Sequence, residues 1–349
     1  MAQKKKQEPG ANFRDEVRNL RANGPERLYL LCGEEEDLRE QFLAELKKIC
    51  LPGGEDDFSY HRFDGASLDM EALAEAVDAV PFLSDRTLLE VRGCDTNKLS
   101  ESDAARLTEI TEDLPDYCTL VLMMDADFSF DGRLKRTKTL MKQGRLLRFL
   151  EQGTNDLVRW VAKRFHALEK RITVEDAQYL ILITGGLMNR MIPEIEKVGA
   201  FAQGEVITRA DIDAVVQKVP DAVVFDMTEL IAERRGDAAL QKLAELLSDK
   251  SNEPIALLAA VGNQMRRLYA AKCAAMDRIS GAEAMTLCGV RHDFIVQKLM
   301  RSARGFSMAQ MEHAVRLCCE TDYAMKHSGG DNAELLKELL LRLLAEAAA

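Results

Sequence analysis

Long apolar runs are missing from this 349-residue chain. The most apolar stretches, such as Tyr179 to Ile183 and Leu339 to Leu341, fall far short of the roughly 20 residues that cross a bilayer, so no transmembrane segment is expected. Aromatic residues are scarce at 6%, with Trp160 the one tryptophan, while hydrophobic residues make up 47% and charged residues 30%. That balance excludes collagen-like and disordered chains and suits a helix-rich protein of two or three domains. CxxC pairs are absent. The eight cysteines, at 32, 50, 94, 118, 273, 288, 318 and 319, lie mostly in apolar stretches, which predicts reduced, buried thiols. At the N-terminus, Lys4, Lys5 and Lys6 lead into Gln7, Glu8, Pro9 and Gly10 and not into an apolar segment. Residues 1–10 therefore read as a loose tail without a secretory signal, and a cytoplasmic protein is expected.

Reactive constellations are missing too. No G-x-S-x-G elbow occurs, and no Ser, His and Asp set is identifiable from spacing, so no catalytic residue is assigned. His61, His166, His292, His313 and His327 have no H-x-x-x-H or Cys/His spacing, and adjacent Cys318 and Cys319 point to different helix faces; no metal site is expected. Asp127, Ser129, Asp131 and Gly132 imitate the first half of an EF-hand, but Lys138 stands where a bidentate Glu is needed. No G-x-x-x-x-G-K-[ST] is present: the first apolar strand runs into Cys32-Gly33-Glu34-Glu35-Glu36-Asp37, whose carboxylates would repel a polyphosphate. Leu120 to Asp125 imitates a Walker B strand, yet Ala126 follows where that motif has Glu. No cofactor is expected.

What is present is a regular alternation. Helices are predicted at 12–23, 37–49 and 68–80, and after Ser100, whose pairing with Asp103 reads as a capping box. Strands are predicted at 27–32, 58–63, 87–91, 119–124 and 146–149. Such alternation implies right-handed crossovers and a parallel sheet covered on both faces. Beyond Gln152-Gly153-Thr154 the strand signal nearly vanishes. Helices follow at 157–168, 174–184 and 189–201, with Thr173/Asp176 and Thr208/Asp211 as further capping boxes. The last helix, 334–346, carries a wide leucine stripe. The expected organisation is an α/β domain over 1–152, a small helical domain over 153–219 and an all-helical domain over 220–349.

Two surface features invite a functional reading. The net charge is −11, but between Arg133 and Arg171 twelve basic residues face three acids, a local excess of +9 that includes Arg133, Lys135, Arg136 and Lys138. Such a stripe suits nucleic-acid phosphates or an acidic partner, and a solvated helix face would look the same. The second feature is Pro81-Phe82-Leu83, an apolar segment that halts a helix and precedes polar Ser84-Asp85-Arg86. It reads either as a plug for a partner's pocket or as a helix-end contact with the core.

Several segments, in order, resemble one family. They are Leu28 to Glu35 with Leu38, Phe63-Asp64-Gly65, Val80 to Arg86, Asp131 to Lys135, Glu194 to Val198, Gly236-Asp237-Ala238, Glu253-Pro254-Ile255, Arg266-Arg267-Leu268 and Gly305 to Lys326. The chain resembles the delta-subunit family of bacterial DNA polymerase III clamp loaders from about Arg27 to its C-terminus. The resemblance implies an α/β AAA+ type domain with a degenerate P-loop, a small helical lid domain and an all-α collar domain for oligomerisation. It also implies a non-catalytic subunit that binds the sliding clamp and opens it for loading onto primed DNA, polymerase activity residing in other subunits of the holoenzyme. Pro81, Phe82 and Leu83 occupy the clamp-binding position. The partners implied are the sliding clamp, the motor subunits and the delta prime subunit of a hetero-pentamer, and primed DNA, with no membrane. An AAA+ ATPase motor and a stand-alone DNA-binding protein are the alternatives; the missing P-loop lysine speaks against the first and the overall acidity against the second.

Overall fold

The computed structural model describes residues 10–54, 58–81, 84–249, 252–327 and 329–348. The chain divides into two compact units, Met1–Glu151 and Gln152–Ala349.

The first unit alternates helices and strands as the periodicity predicts. In chain order it contains α1 (Phe13–Asn23), β1 (Leu28–Cys32), α2 (Glu36–Cys50), β2 (Tyr60–Asp64), α3 (Met70–Asp78), β3 (Thr87–Arg92), α4 (Glu101–Glu112), β4 (Cys118–Met123), α5 (Lys135–Gln143) and β5 (Arg145–Arg148). All five strands are parallel, in the order β2-β3-β4-β1-β5. Central β1 and β4 are buried along their whole length, the signature of strands covered on both faces. On one face Leu28, Leu30, Cys32, Leu120 and Leu122 pack with Leu73 of α3, Leu107 of α4 and Leu140 of α5. Tyr29 meets Phe42 of α2 edge to face, and Phe42 and Phe13 of α1 each pack on Phe149.

Boundaries shift for local reasons. Helix α3 spans 70–78, not 68–80, because the Asp69 carboxylate accepts the amides of Glu71 and Ala72, while Val80 precedes a proline and is turned away from helical geometry. Strand β2 begins two residues later than predicted, leaving Phe58 exposed.

The second unit is largely helical. Its N-terminal part holds α6 (Thr154–Ala167), β6 (Arg171–Ile172), α7 (Val174–Thr184), α8 (Met188–Phe201), β7 (Val206–Ile207) and α9 (Arg209–Val215), with β6 and β7 paired in parallel. Of the three predicted capping boxes, Thr208/Asp211 closes in both directions. At Ser100 and Thr173 the hydroxyl accepts the third amide, but the aspartate binds the hydroxyl itself.

The remainder is α10 (Pro220–Ala232), α11 (Gly236–Ser248), α12 (Pro254–Met276), α13 (Gly281–Cys288), α14 (Asp293–Ser302), α15 (Met308–His327) and α16 (Asn332–Ala348). Its core gathers Leu257, Val261, Met265 and Leu268 of α12 with Leu317 of α15 and Leu336, Leu339 and Leu343 of α16.

Candidate functional site

The apolar segment after α3 leaves from a fastened stem. The last turn of a helix carries carbonyls with no intrahelical donor. Here Tyr117 Oη donates to Asp78 O at 3.1 Å and Thr87 Oγ1 to Ala79 O at 3.0 Å, so the first residue of β3 is bonded to the residue where the loop begins. Arg86 Nη1 donates to Thr119 Oγ1 at 3.2 Å, anchoring the return. Between these ties Val80 is 74% exposed and Pro81 half-buried. Phe82 and Leu83 lie outside the described residues.

The basic stripe divides between the two units, and many of its charges are spent internally. Arg133 pairs with Asp131 at 2.7 Å, Arg145 with Glu16 at 2.7 Å, Arg159 with Asp156 at 2.8 Å and Arg171 with Glu205 at 2.8 Å. Lys170 Nζ donates to the carbonyls of Ala202 and Gly204. Arg136 is half-buried and its Nη2 donates to Asn97 O at 2.6 Å. Lys135, Lys138 and Lys142 are exposed on α5 and enter no ion pair among the described residues. Their spacing of three and four places them on one face, away from buried Thr137 and Leu140.

The loop after β1 is closed by the chain itself. Gly33 has φ +108°, and a Cβ there would lie 2.3 Å from Phe149 O, so glycine is required. Glu35 N donates to Phe149 O at 3.0 Å and Phe149 N to Cys32 O at 2.9 Å. An amide that a P-loop would aim at phosphate is thus committed to backbone. Glu35 is fully buried beside it.

One register escaped the motif search. Counting from Gly33 as the first glycine of G-x-x-x-x-G-K-[ST], Leu38, Arg39 and Glu40 stand at the Gly, Lys and Ser/Thr positions. Buried Arg39, only 5% exposed, donates through Nη1 to Met124 O just after β4. Glu40 forms a two-pronged pair with Arg92 at the end of β3, at 2.5 and 2.9 Å. The spacing from Gly33 to a basic residue was the available signal. A search for lysine alone passes over it.

No group of three His, Cys, Asp or Glu able to hold a metal occurs among the described residues. The Asp131 carboxylate of the EF-hand-like segment binds Arg133. His292 is buried at the start of α14, with Nδ1 3.2 Å from Thr154 Oγ1 and its ring stacked on Phe294. His327 stacks on Tyr323 and His313 faces Glu346. All eight cysteines are free thiols. Burial pushes Cys50 up to about 11 and Cys94, Cys118 and Cys318 up to about 12.

Comparison with known proteins gives a consistent result. A family model described as DNA polymerase III, delta subunit, matches residues 29–150. A second, described as DNA polymerase III delta subunit, C-terminal domain, matches residues 221–343. DNA polymerase III subunit delta of Bacillus subtilis is 25% identical over 327 residues, covering 91% of this chain and 92% of its own. Among solved structures, the Bacillus subtilis DNA clamp loader delta protein superposes with a TM-score of 0.56 at 23% identity, over 96% of this chain and 100% of that one. That superposition speaks to the fold.

Proposed function

The chain belongs to the DNA polymerase III delta-subunit family of replication clamp loaders, and on that premise we propose that it is the non-catalytic subunit that binds the sliding clamp and opens it for loading onto primed DNA. Its first unit is an α/β layer of the AAA+ type and its second is largely helical. In this reading residues 153–219 serve as the lid, residues 220–349 as the collar that holds the chain among the motor and delta prime subunits of a cytoplasmic hetero-pentamer, and Pro81, Phe82 and Leu83 as the clamp-docking element.

The observation that carries the reading is the stem at Asp78, Ala79 and Thr87. The connection is pinned at both ends and exposed Val80 leads into Pro81, and a stem fixed in this way reduces the ordering cost of docking the residues it carries. Burying Phe82 and Leu83 in a clamp pocket contributes about 1.5 to 3 kcal/mol each before ordering costs. Such a share is large beside roughly −8 kcal/mol for micromolar affinity.

The test is Phe82→Ala with Leu83→Ala, measured by surface plasmon resonance on immobilised clamp and by thermal unfolding. Loss of most clamp binding with an unchanged melting temperature is expected. Normal binding, or ready unfolding, sinks the docking reading in favour of helix-end packing.

The motor reading is disfavoured by the loop after β1, where the Glu35 amide bonds to Phe149 and Arg39 is turned to Met124. A stand-alone DNA-binding role is disfavoured by the internal ion pairs of Arg133, Arg145, Arg159 and Arg171, four of the twelve basic residues of the stripe. Within the assembled loader, the lysine face of α5 is the part of that stripe we assign to primed DNA.

A further inference from the structure

The connection from β4 to α5, residues 124–134, is bonded to a neutral side chain of the neighbouring connection, residues 93–100. Asn97 Nδ2 donates to Ser129 O at 2.9 Å, and Asn97 Oδ1 accepts the Asp131 amide at 3.1 Å. The main-chain oxygen of Asn97 accepts from Arg136 Nη2 at 2.6 Å. Asn97 is itself fixed, its amide donating to Asp95 Oδ1 at 3.1 Å. These contacts tie the two connections at a point one turn from the start of α5. Phe128 and Phe130, stacked edge to face at 4.7 Å and packed against the core, hold the middle of the same connection.

We infer that Asn97 and Arg136 are positioning residues, which lock the orientation of α5 so that Lys135, Lys138 and Lys142 present one phosphate-binding face. The inference rests on the assignment of that face to primed DNA. It separates the four basic residues picked out by sequence into two kinds. Arg136 is committed to Asn97 and Arg133 to Asp131, whereas Lys135 and Lys138 are open to a ligand and are joined by Lys142, one turn on. A helix of nine residues has little stability of its own, so its orientation depends on tertiary ties. Asn97 carries no charge, and its amide group is spent on Ser129 and Asp131. A loss of DNA affinity on its removal therefore reports orientation and not a missing phosphate contact.

The experiment uses the reconstituted loader with the full chain and fluorescent primed DNA, titrated by anisotropy at several salt concentrations. Lys135→Ala, Lys138→Ala and Lys142→Ala together should lower affinity and reduce the salt slope by about 0.9 per contact on duplex DNA. Asn97→Ala should lower DNA affinity about tenfold, the weight of roughly two ordinary hydrogen bonds. Clamp affinity should stay within about twofold, and the same change should have no further effect in the triple-lysine background. Hydrogen exchange at the Asp131 amide and the first turn of α5 should accelerate in Asn97→Ala. If the lysine variant weakens DNA binding but Asn97→Ala does not, the positioning role is overturned and the lysine face stands. An unchanged affinity in the triple-lysine variant removes the DNA assignment itself. Unaltered exchange at Asp131 overturns the inference whatever the DNA result, as does an equal loss of clamp and DNA binding, which would mark general destabilisation.

Discussion

Glu90 offers the most direct measurement of what holds the first unit together. It sits in the middle of β3 with no exposed surface, an expensive place for a carboxylate. The cost is met by Tyr60 Oη, which donates to it at 2.5 Å, by Lys47 Nζ at 3.1 Å from α2, and by Arg92, whose guanidinium also grips Glu40. Burial pushes the Glu90 carboxyl upward, but the hydrogen bonds from Tyr60 and Lys47 and the charges of Arg92 and Lys47 outweigh it, leaving the group below its ordinary value of 4.5. Glu90→Ala leaves Lys47, only 16% exposed, and Arg92 without this partner. Breaking a buried pair in this way costs about 3 to 5 kcal/mol. In a unit of 151 residues that corresponds to a fall of about 6 to 20 °C in the melting temperature. Differential scanning calorimetry of the full chain would record it, with Glu90→Gln, which keeps size and an acceptor, falling between. Because the folded-state value is depressed, the stabilisation is present above pH about 4.5 and lost as pH falls through the folded value. The wild-type and alanine curves should therefore converge in acid. A fall below about 2 °C, the scale of an exposed pair, or an undiminished gap in acid would refute the reasoning.

Other outcomes follow from the same geometry. Isothermal titration of the isolated chain with ATP and Mg2+ should give no heat of binding, because carboxylates and Arg39 stand where phosphates would be cradled; micromolar binding would contradict this. Gly33→Ala should lower thermal stability markedly, since its Cβ would fall 2.3 Å from Phe149 O at a φ that disfavours alanine, and an unchanged melting temperature would remove that strain argument. Iodoacetamide at pH 8 should label exposed Cys319 well before Cys94 and Cys118, whose thiols burial holds near 12; mass spectrometry showing early labelling of either buried thiol would refute their protection.

Hydrophobic rhythm makes most of the fold legible. The central strands are the most evident because parallel strands covered on both faces must be largely apolar, as Leu28 to Cys32 is throughout and Cys118 to Met123 is but for Thr119. What rhythm does not carry is pairing between distant polar groups. Glu90 looks like an ordinary strand residue until α2 brings Lys47 beside it, and Asn97 looks like a loop residue until Ser129 and Asp131 fold against it. Charge counting likewise overstates the basic stripe, since it cannot tell Arg136, turned to a carbonyl, from Lys135, turned to solvent. The two-residue strands β6 and β7 are too short to leave a periodic signal.

Arg39 and Glu40 have a consequence for any attempt to open the crevice after β1. Each belongs to an interaction that reaches a different strand end, Met124 after β4 and Arg92 in β3. Changing Arg39 to lysine would exchange a planar fork for a single ammonium at a buried carbonyl. Changing Glu40 to serine would remove one of the two carboxylates, Glu40 and Glu90, that hold Arg92. Neither change alone creates a phosphate site while Leu38 and the run of carboxylates before it persist, so each would cost stability without building a cradle for phosphate. The crevice after β1 is thus fastened from two directions by its own side chains, and opening it to a nucleotide would take several coordinated changes, each loosening a tie between α2 and the sheet.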